Sequence, residues 1–444
     1  MYLEKGKSFM MTERFTNVLE KIANFFNTQK HFSSIKDGLM YTMPFTIIGG
    51  IALIIGNPPI PEGTDLSNGI GVFLQAWKEL SISWSPFITA MNTLSLGLLS
   101  VYVTIAISYL LAKKYDLERF ACCAIGLISF LALAAPIANI EKVNYINLSY
   151  LDAKGLFTAM IASCGSLEIY RFFISKNIKI RLPESVPEMV SAPFEALIPM
   201  IVSVVLFICV SILSLQLGGK AFPAIIMDIM KPFISTSDSL LFVILIGLLV
   251  NGFWFLGLHG GSIVGAVMNP FLLINLAANA DAIAAGSKAP HILATNYHVL
   301  FMNLGGAPAA FPIIIASLIC ARSAHVRSIA KLGAPASVFG ISEPILFGYP
   351  IVMNPLLLPG ILFIPILNGV ITYLLMSMNF IGRICVNVPW TLPGPIGAFI
   401  ATMDYKAMIL WFALFIMDVF LFIPFIKLYD KQMQKQEQQA HEEA

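Results

Sequence analysis

The chain has 444 residues, of which 57% are hydrophobic and only 12% are charged, and its mean hydropathy is +0.81. In soluble globular domains roughly a quarter of the residues are charged. The composition therefore excludes an ordinary soluble domain and indicates a polytopic membrane protein. The net charge of +2 is too small to suggest nucleic acid as a partner. The positions of Lys and Arg are more informative, because they cluster on the cytoplasmic side of membranes.

The N-terminal segment, residues 1–36, is predicted to lie in the cytoplasm. It carries six Lys or Arg residues and has no short apolar core ending in small residues, so no cleavable signal peptide is evident. Within it, residues 12–35 have apolar side chains at helical spacing with basic residues between them. This pattern is typical of an amphipathic helix on a membrane surface.

Apolar stretches of about the length of a membrane span recur through the rest of the chain, and alternating Lys/Arg-rich and Lys/Arg-poor loops orient them. The predicted spans cover residues 38–57, 89–112, 120–139, 155–174, 194–217, 239–258, 262–280, 299–321, 354–378 and 405–426. Ten crossings place both termini in the cytoplasm, with a charged cytoplasmic tail at 427–444.

The connections divide the chain into two halves. Residues 58–88 are polar and nearly free of Lys and Arg, so we expect them outside the cell. Residues 218–237 have apolar side chains at helical spacing among charged residues and are predicted to form an amphipathic connector. It separates an N-terminal membrane half, 37–217, from a C-terminal membrane half, 238–426.

One stretch, GISEPILFGYP from Gly340 to Pro350, places the acidic side chain of Glu343 among apolar segments. A charge at membrane depth costs ~2.5–3.5 kcal/mol, and irregular backbone survives there only where protein buries it or water reaches it. Glu343 then either lines a polar cavity on a re-entrant loop or faces water on a cytoplasmic loop. Periodicity alone favours neither interpretation.

His259 ends an apolar stretch and is followed by Gly260 and Gly261, which allow the backbone to turn sharply. An imidazole titrates near neutrality and can donate a hydrogen bond to a hydroxyl or accept its proton. A lone His at a helix end is otherwise usually a satisfied interfacial residue. Brought together with Glu343 in space, His259 would provide a carboxylate and imidazole pair that can hold a sugar hydroxyl.

Two tryptophans are candidates for stacking on a sugar ring, namely Trp254 and Trp390. Interfacial anchoring explains tryptophans near membrane ends equally well. On a regular helix Trp254 and His259 would not share a face, so a common site requires the helix to break near Gly257. Asp418 lies in the middle of the last span and is a functional candidate by default, although the sequence names no partner for it.

Other polar residues are given structural roles. Glu168 and Arg171 are three residues apart on one helix face, so a local ion pair is expected. His291 and His298 have no ligand spacing. The six cysteines are scattered through apolar segments without zinc spacing or a paired framework, which indicates packing residues, and no phosphate-binding loop is present. We therefore expect neither a metal nor another cofactor.

The segment GISEPILFGYPIVMNP, residues 340–355, resembles the signature loop of the membrane (IIC) component of the bacterial phosphoenolpyruvate-dependent sugar phosphotransferase system. Within that system it is most similar to the lactose, cellobiose and diacetylchitobiose family. The supporting stretches are KGLFTAMI at 154–161, the 183–199 stretch with FEALIP, FWFLGLHGG at 253–261 and VPWTLPGPIGAF at 388–399.

The resemblance implies an all-α protein with ten spans, two re-entrant hairpins and amphipathic surface helices. It also implies a homodimer formed through the N-terminal half and a sugar site in the C-terminal half. The 6-hydroxyl of the bound sugar would be phosphorylated by a phosphocysteine on a separate IIB protein, which works with a IIA protein. This chain would then be a transport subunit with no phosphoryl-carrying residue of its own, and whether it counts as an enzyme is left open.

Carried over by motif, the family's sugar-binding positions and their neighbours predict a site made of Glu343, His259, Trp254, Trp390, Gly260 and Ser342. One departure concerns the middle of the C-terminal half, where the family usually has Gly-Gly-Ser-Gly. This chain reads Gly305, Gly306, Ala307, Pro308. Proline in place of glycine stiffens the turn, so the resemblance does not fix the pocket shape or the identity of the sugar.

The sequence therefore predicts the sugar-translocating subunit of a phosphotransferase permease in the bacterial cytoplasmic membrane, acting on a β-linked disaccharide or β-glucoside. An elevator-like or rocking movement of the C-terminal half would carry the sugar. The alternative is an ion-coupled secondary sugar transporter that uses Glu343 or Asp418 as a proton carrier. A third interpretation is a sugar sensor that does not transport.

Overall fold

The protein is built almost entirely of α-helices, with one short antiparallel hairpin of strands β1 (Ile137–Ile140) and β2 (Val143–Ile146). The prediction of an all-α membrane fold is confirmed. The computed structural model describes residues 25, 28–58, 60, 69–135, 137–140, 142–180, 182–183, 187–349 and 351–442. Most of the predicted N-terminal amphipathic helix at 12–35 lies outside these residues.

The N-terminal half contains eight described helices. They are α1 (Lys30–Tyr41), α2 (Met43–Gly56), α3 (Ile70–Ser83), α4 (Ser85–Ser95), α5 (Leu99–Tyr115), α6 (Arg119–Ala134), α7 (Leu156–Ser175) and α8 (Glu188–Gly218). The side chain of Gln29 accepts a hydrogen bond from the Phe32 N–H at 2.7 Å, which caps α1. Helix α1 therefore runs across residue 36, where the sequence suggested a boundary.

The connector and the C-terminal half contribute nine more described helices. They are α9 (Phe222–Thr236), α10 (Leu240–Phe255), α11 (Gly260–Ala284), α12 (Ala310–Cys320), α13 (Ala324–Val338), α14 (Glu343–Gly348), α15 (Leu358–Ser377), α16 (Gly394–Thr402) and α17 (Tyr405–Glu442).

Within the described residues, seven helical stretches are long and apolar enough to cross a membrane. An eighth is formed if α9 and α10, which are bent by 80° relative to each other, are taken as one broken span. Helices α6 and α12 are shorter but also apolar. Together these stretches overlap the ten predicted spans in position, but only seven or eight of them are long enough to cross a membrane.

Two predicted elements have a different local structure. The segment 58–88 is largely helical where it is described, and the Trp77 indole N–H donates to the Ile55 carbonyl at 3.0 Å, which holds α3 against α2. The predicted span 299–321 is not one continuous helix. A π-helical turn at His298–Met302 is followed by an irregular break before α12, because Gly305 and Gly306 have φ values of 70° and 103°.

Helices α5, α6 and α7 pack closely in the N-terminal half. A Cβ added to Gly126 would lie 2.1 Å from the Ser108 hydroxyl oxygen, so only glycine allows this approach. Some buried hydroxyls here bond within their own helix: Thr104 donates to the Ser100 carbonyl at 2.7 Å. This half is therefore held together mainly by close packing of regular helices.

The C-terminal half contains irregular segments, which asparagine side chains hold in place. The Asn279 amide donates to the carbonyls of His291 and Ile384, each at 2.8 Å, and its oxygen accepts from the His291 N–H at 2.8 Å. Lipid offers no hydrogen bonds, so backbone outside a helix must be satisfied by protein or water. Asn279 meets this requirement for two separate segments at once.

The predicted structural roles agree with these contacts. The ion pair between Glu168 and Arg171 is confirmed at 3.1 Å, and Glu168 also accepts from the Tyr115 hydroxyl at 2.6 Å. The His291 ring lies 3.1 Å from the Asp238 carboxylate. All six cysteines are free thiols.

Candidate functional site

The predicted break next to His259 is present. Helix α10 ends at Phe255, Gly257 has a φ of 77°, and α11 begins at Gly260. The reversal brings the rings of Trp254 and His259 together, with centroids 4.4 Å apart and planes inclined by 48°. Two residues that a regular helix would separate are therefore neighbours.

Gly260 allows this turn to close against α10. It is buried, and a Cβ at this position would lie 2.0 Å from the Val250 carbonyl oxygen. No side chain fits there, so Gly260 acts through its backbone and does not itself present a group to solvent.

The His259 ring caps α11 and has a defined tautomer. Its Nδ1 accepts a hydrogen bond from the Ser262 N–H at 3.1 Å, so the proton of the neutral ring lies on Nε2. Partial burial lowers the pKa of His259, the carboxylate of Glu343 opposes that shift, and Lys36 adds to it. At neutral pH the ring is thus uncharged and Nε2–H is a donor. Since the residue is also exposed, this donor is accessible to a ligand.

Glu343 is the first residue of α14 and is solvent-exposed. The preceding Ser342 is only 4% exposed, and its carbonyl accepts from the N–H groups of Ile345 and Leu346 at 3.0 Å each. Ser342 therefore anchors the first turn of α14 within the protein, while the Glu343 carboxylate faces solvent.

The loop that carries Glu343 contacts the segment of Trp390. Gly340 has a φ of 76°, and a Cβ added there would lie 3.0 Å from the Trp390 carbonyl oxygen. The Trp390 side chain is 46% exposed. Its indole is thus available to a ligand, in contrast to the Trp254 indole, which is buried.

The glycine pair at 305–306 supports the same loop, a role that the sequence did not predict. A Cβ on Gly306 would lie 2.8 Å from both the Gly340 carbonyl oxygen and the Ser342 Cβ. A double glycine inside a predicted span was the available signal, because it marks a tight turn or a close backbone approach. The Ala307-Pro308 departure follows directly after this contact.

The segment that follows α14 contacts the turn of His259. The Met353 N–H donates to the Phe255 carbonyl at 2.8 Å, and a Cβ on Gly257 would lie 3.1 Å from the Val352 side chain. Segments more than 90 residues apart in sequence are thereby held together. Helix α1, which carries Lys36, packs against α11, so the N-terminal half borders this region as well.

Two other features lie apart from these turns. Asp418 is fully buried in α17, where it accepts a hydrogen bond from the Asn368 amide of α15 at 2.7 Å. Asn368 is the partner that the sequence could not name. A separate cavity of about 710 Å³ lies where α1 begins and α5 and α7 end, and none of the predicted site residues lines it.

The fold and these residues define a class: a multi-span helical membrane protein in which an acid, a neutral imidazole and an indole are exposed on neighbouring irregular segments, a pattern typical of a site for a polar solute. Residues 36–365 match the family model described as phosphotransferase system, EIIC. The chain belongs to this family. It is a multi-pass membrane permease component for sugar, and the resemblance drawn from residues 340–355 is confirmed.

Individual relatives resemble the chain along nearly its whole length. It is 34% identical to the lichenan permease IIC component of Bacillus subtilis (strain 168), over 92% of this chain and 91% of that protein. It is 31% identical to a lactose-specific EIICB component from Lacticaseibacillus casei, over 96% of this chain and 71% of that protein. The crystal structure of ChbC, the IIC component from the N,N'-diacetylchitobiose-specific phosphotransferase system, superimposes with a TM-score of 0.85 at 29% identity, covering 94% of this chain and 98% of that one.

Proposed function

We propose that the chain binds a β-linked disaccharide or β-glucoside between Glu343 and His259 and presents its 6-hydroxyl for phosphorylation by a IIB protein during uptake. Two observations support this best: the segment that follows α14 contacts the turn of His259, and the charge of Glu343, the first residue of α14, opposes the lowering of the His259 pKa by burial. Both are what a charged acceptor and a neutral donor near each other would produce.

The chemistry of the two groups is complementary to a sugar. A carboxylate only accepts hydrogen bonds, whereas the Nε2–H of His259 only donates. Neighbouring sugar hydroxyls can each donate and accept, so one can donate to Glu343 while the next accepts from His259. The buried Trp254 ring orients the imidazole, and the exposed Trp390 indole offers an apolar face on which a sugar ring can stack.

The names of the relatives support the sugar class. Lichenan, lactose and N,N'-diacetylchitobiose appear in them, and all three are β-linked. We propose the same linkage for this chain, with both termini in the cytoplasm as the Lys-rich and Arg-rich loops indicate. We also propose that the N-terminal half forms the scaffold of a homodimer.

Uptake into membrane vesicles tests the proposal against ion-coupled transport. We expect uptake of a β-glucoside such as cellobiose to require phosphoenolpyruvate together with the soluble phosphotransferase proteins, and to yield sugar phosphate. Uptake that ignores phosphoenolpyruvate and collapses with an uncoupler would instead support a proton-coupled carrier.

The Glu343→Gln variant tests the site itself. Hydrogen bonds to a charged group contribute about 1.5–3 kcal/mol, so replacing the carboxylate should weaken equilibrium sugar binding in detergent at least about tenfold. The fold should persist, because the Glu343 side chain is exposed. Glu79→Gln, at another exposed glutamate, is the matched control and should bind as the wild type does. Unchanged binding by Glu343→Gln would exclude this residue from the site.

A further inference from the structure

A cationic surface lies where α13 begins beside the end of α17. Three of its residues, Lys427, Lys431 and Lys435, follow one face of α17 at four-residue spacing and are all solvent-exposed. Arg322, which precedes α13, and Lys331, which lies within it, are exposed as well. We call these five residues the tail surface. No carboxylate of the described residues forms a salt bridge with any of them.

Two carboxylates of the same helix, Asp430 and Glu437, bond to the start of α13 and not to these cations. Asp430 accepts from the backbone N–H groups of Arg322 and Ser323 at 3.0 and 2.8 Å. Glu437 accepts from the Ser323 hydroxyl at 2.7 Å and from the His325 N–H at 3.0 Å. Both acids thus satisfy N–H groups at the start of α13, where a helix has no partners of its own. The three lysines of α17 remain solvent-exposed.

Helix α13 connects the tail surface directly to the sugar site. It begins at Ala324 beside Asp430 and Glu437, ends at Val338, and is followed by the Ser342 to Glu343 turn. A helix of 15 residues is about 22 Å long, which is less than the diameter of a small domain. One globular protein seated on the tail surface would therefore reach the mouth of the site.

The length of α17 favours a soluble partner over membrane lipid. The lipid headgroup layer adds only about 5–8 Å to each side of the hydrocarbon core. Lys435 lies eight residues past Lys427, a distance of about 12 Å along the helix axis. If the membrane-spanning part of α17 ends at Lys427, then Lys435 projects beyond the headgroups. Lipid phosphates could then neutralise only part of the tail surface.

We propose that the tail surface is the docking site for an acidic face of the soluble IIB protein that delivers the phosphoryl group. This inference rests on the proposed function, since only that function calls for such a partner. Complementary charge on the two proteins would steer their encounter and fix their relative orientation. In the L. casei relative, whose name is EIICB, 71% of that protein aligns with this chain, so part of it lies outside the alignment.

Charge reversal tests this proposal. The tail-surface variant carries three substitutions, Lys331→Glu, Lys431→Glu and Lys435→Glu. The control variant reverses three exposed cationic residues of the N-terminal half. Its substitutions are Lys113→Glu, Arg119→Glu and Lys176→Glu. The probe is the purified IIB protein of the host strain, and its binding to detergent-solubilised full chain is measured at two salt concentrations. We expect the tail-surface variant to bind IIB at least about tenfold more weakly and with less dependence on salt. The control variant should bind as the wild type does.

Sugar binding distinguishes failure of this inference from failure of the proposed function. Both triple variants should bind cellobiose with wild-type affinity, since none of the substituted residues lies in the site. Two outcomes would overturn the docking site while the proposed sugar site stands, provided that cellobiose binds normally. In the first, the tail-surface variant binds IIB as the wild type does. In the second, IIB binds no form of the chain. A variant that loses only its binding to anionic vesicles would assign the surface to lipid and overturn the proposal as well. Absence of cellobiose binding in the wild type would count against the proposed function instead.

Discussion

The two membrane halves satisfy their buried polar groups in different ways. In the N-terminal half, several hydroxyls bond to carbonyls one turn earlier in the same helix, as Thr104 does with Ser100 and Ser163 with Ala159, both at 2.7 Å. In the C-terminal half, asparagine amides bond to irregular backbone far away in sequence, as Asn279 does with Ile384. Asparagine side chains that satisfy distant irregular backbone are thus characteristic of the second half.

This difference explains where the candidate site lies. A ligand needs irregular backbone that exposes side chains, and in a membrane such backbone persists only where other protein groups satisfy it. The C-terminal half meets that condition at several segments, which include the turn of His259 and the loop of Glu343. The two halves also meet directly, since the Asn387 amide donates to the Thr46 hydroxyl at 2.6 Å.

The largest effect is expected from Asn279→Ala. It removes the partner of three backbone groups, and each buried polar group left unsatisfied costs about 1–3 kcal/mol, so the loss should reach about 3 kcal/mol or more. The matched change in the N-terminal half is Thr104→Val, which keeps the shape, removes one bond within a helix and should cost about 1 kcal/mol or less. Thermal unfolding in detergent compares the two. Equal losses would show that the halves do not differ in the way described.

A smaller effect, confined to sugar binding, is expected from Gly306→Ala. The added Cβ would lie 2.8 Å from the Gly340 carbonyl and from Ser342, so the loop of Glu343 must shift. We expect sugar affinity to fall about tenfold, or about 1.4 kcal/mol. Gly286→Ala is the control: its φ is also positive, at 72°, but a Cβ there meets nothing within 4 Å. Gly286→Ala carries a similar cost in backbone conformation and should leave sugar affinity unchanged. If both variants lowered sugar affinity equally, the contact of Gly306 with the loop of Glu343 would not be the cause.

The smallest effect is expected from Asp418→Asn. The amide oxygen of the new side chain can still accept from Asn368, so the contact between α15 and α17 should be kept. Phosphoenolpyruvate-dependent uptake should stay within about twofold of the wild type, on the reasoning that a buried structural contact needs no titratable proton. A complete loss of uptake with a folded protein would favour the ion-coupled alternative.

Much of the fold could be predicted from the sequence. Span positions follow from the length of apolar stretches, because the thickness of the bilayer sets that length. The helix break next to His259 follows from its glycines. The segment 299–321 was predicted as a span from its apolar composition, but the break at Gly305 and Gly306 was not predicted. Composition reports the environment of a segment but not its backbone path.

The sequence by itself determined the class of the protein, its family and the identity of the candidate ligand-binding groups, because hydropathy and local motifs carry that information. Only the tertiary structure decided which of those groups are accessible: Glu343, His259 and Trp390 are exposed, whereas Trp254, Gly260 and Ser342 are buried and support them. It also showed that Asp418 pairs with Asn368 and that Gly306 supports the loop of Glu343. These contacts join residues from 34 to 50 positions apart, and no local pattern specifies them, because they depend on how helices pack across the whole C-terminal half.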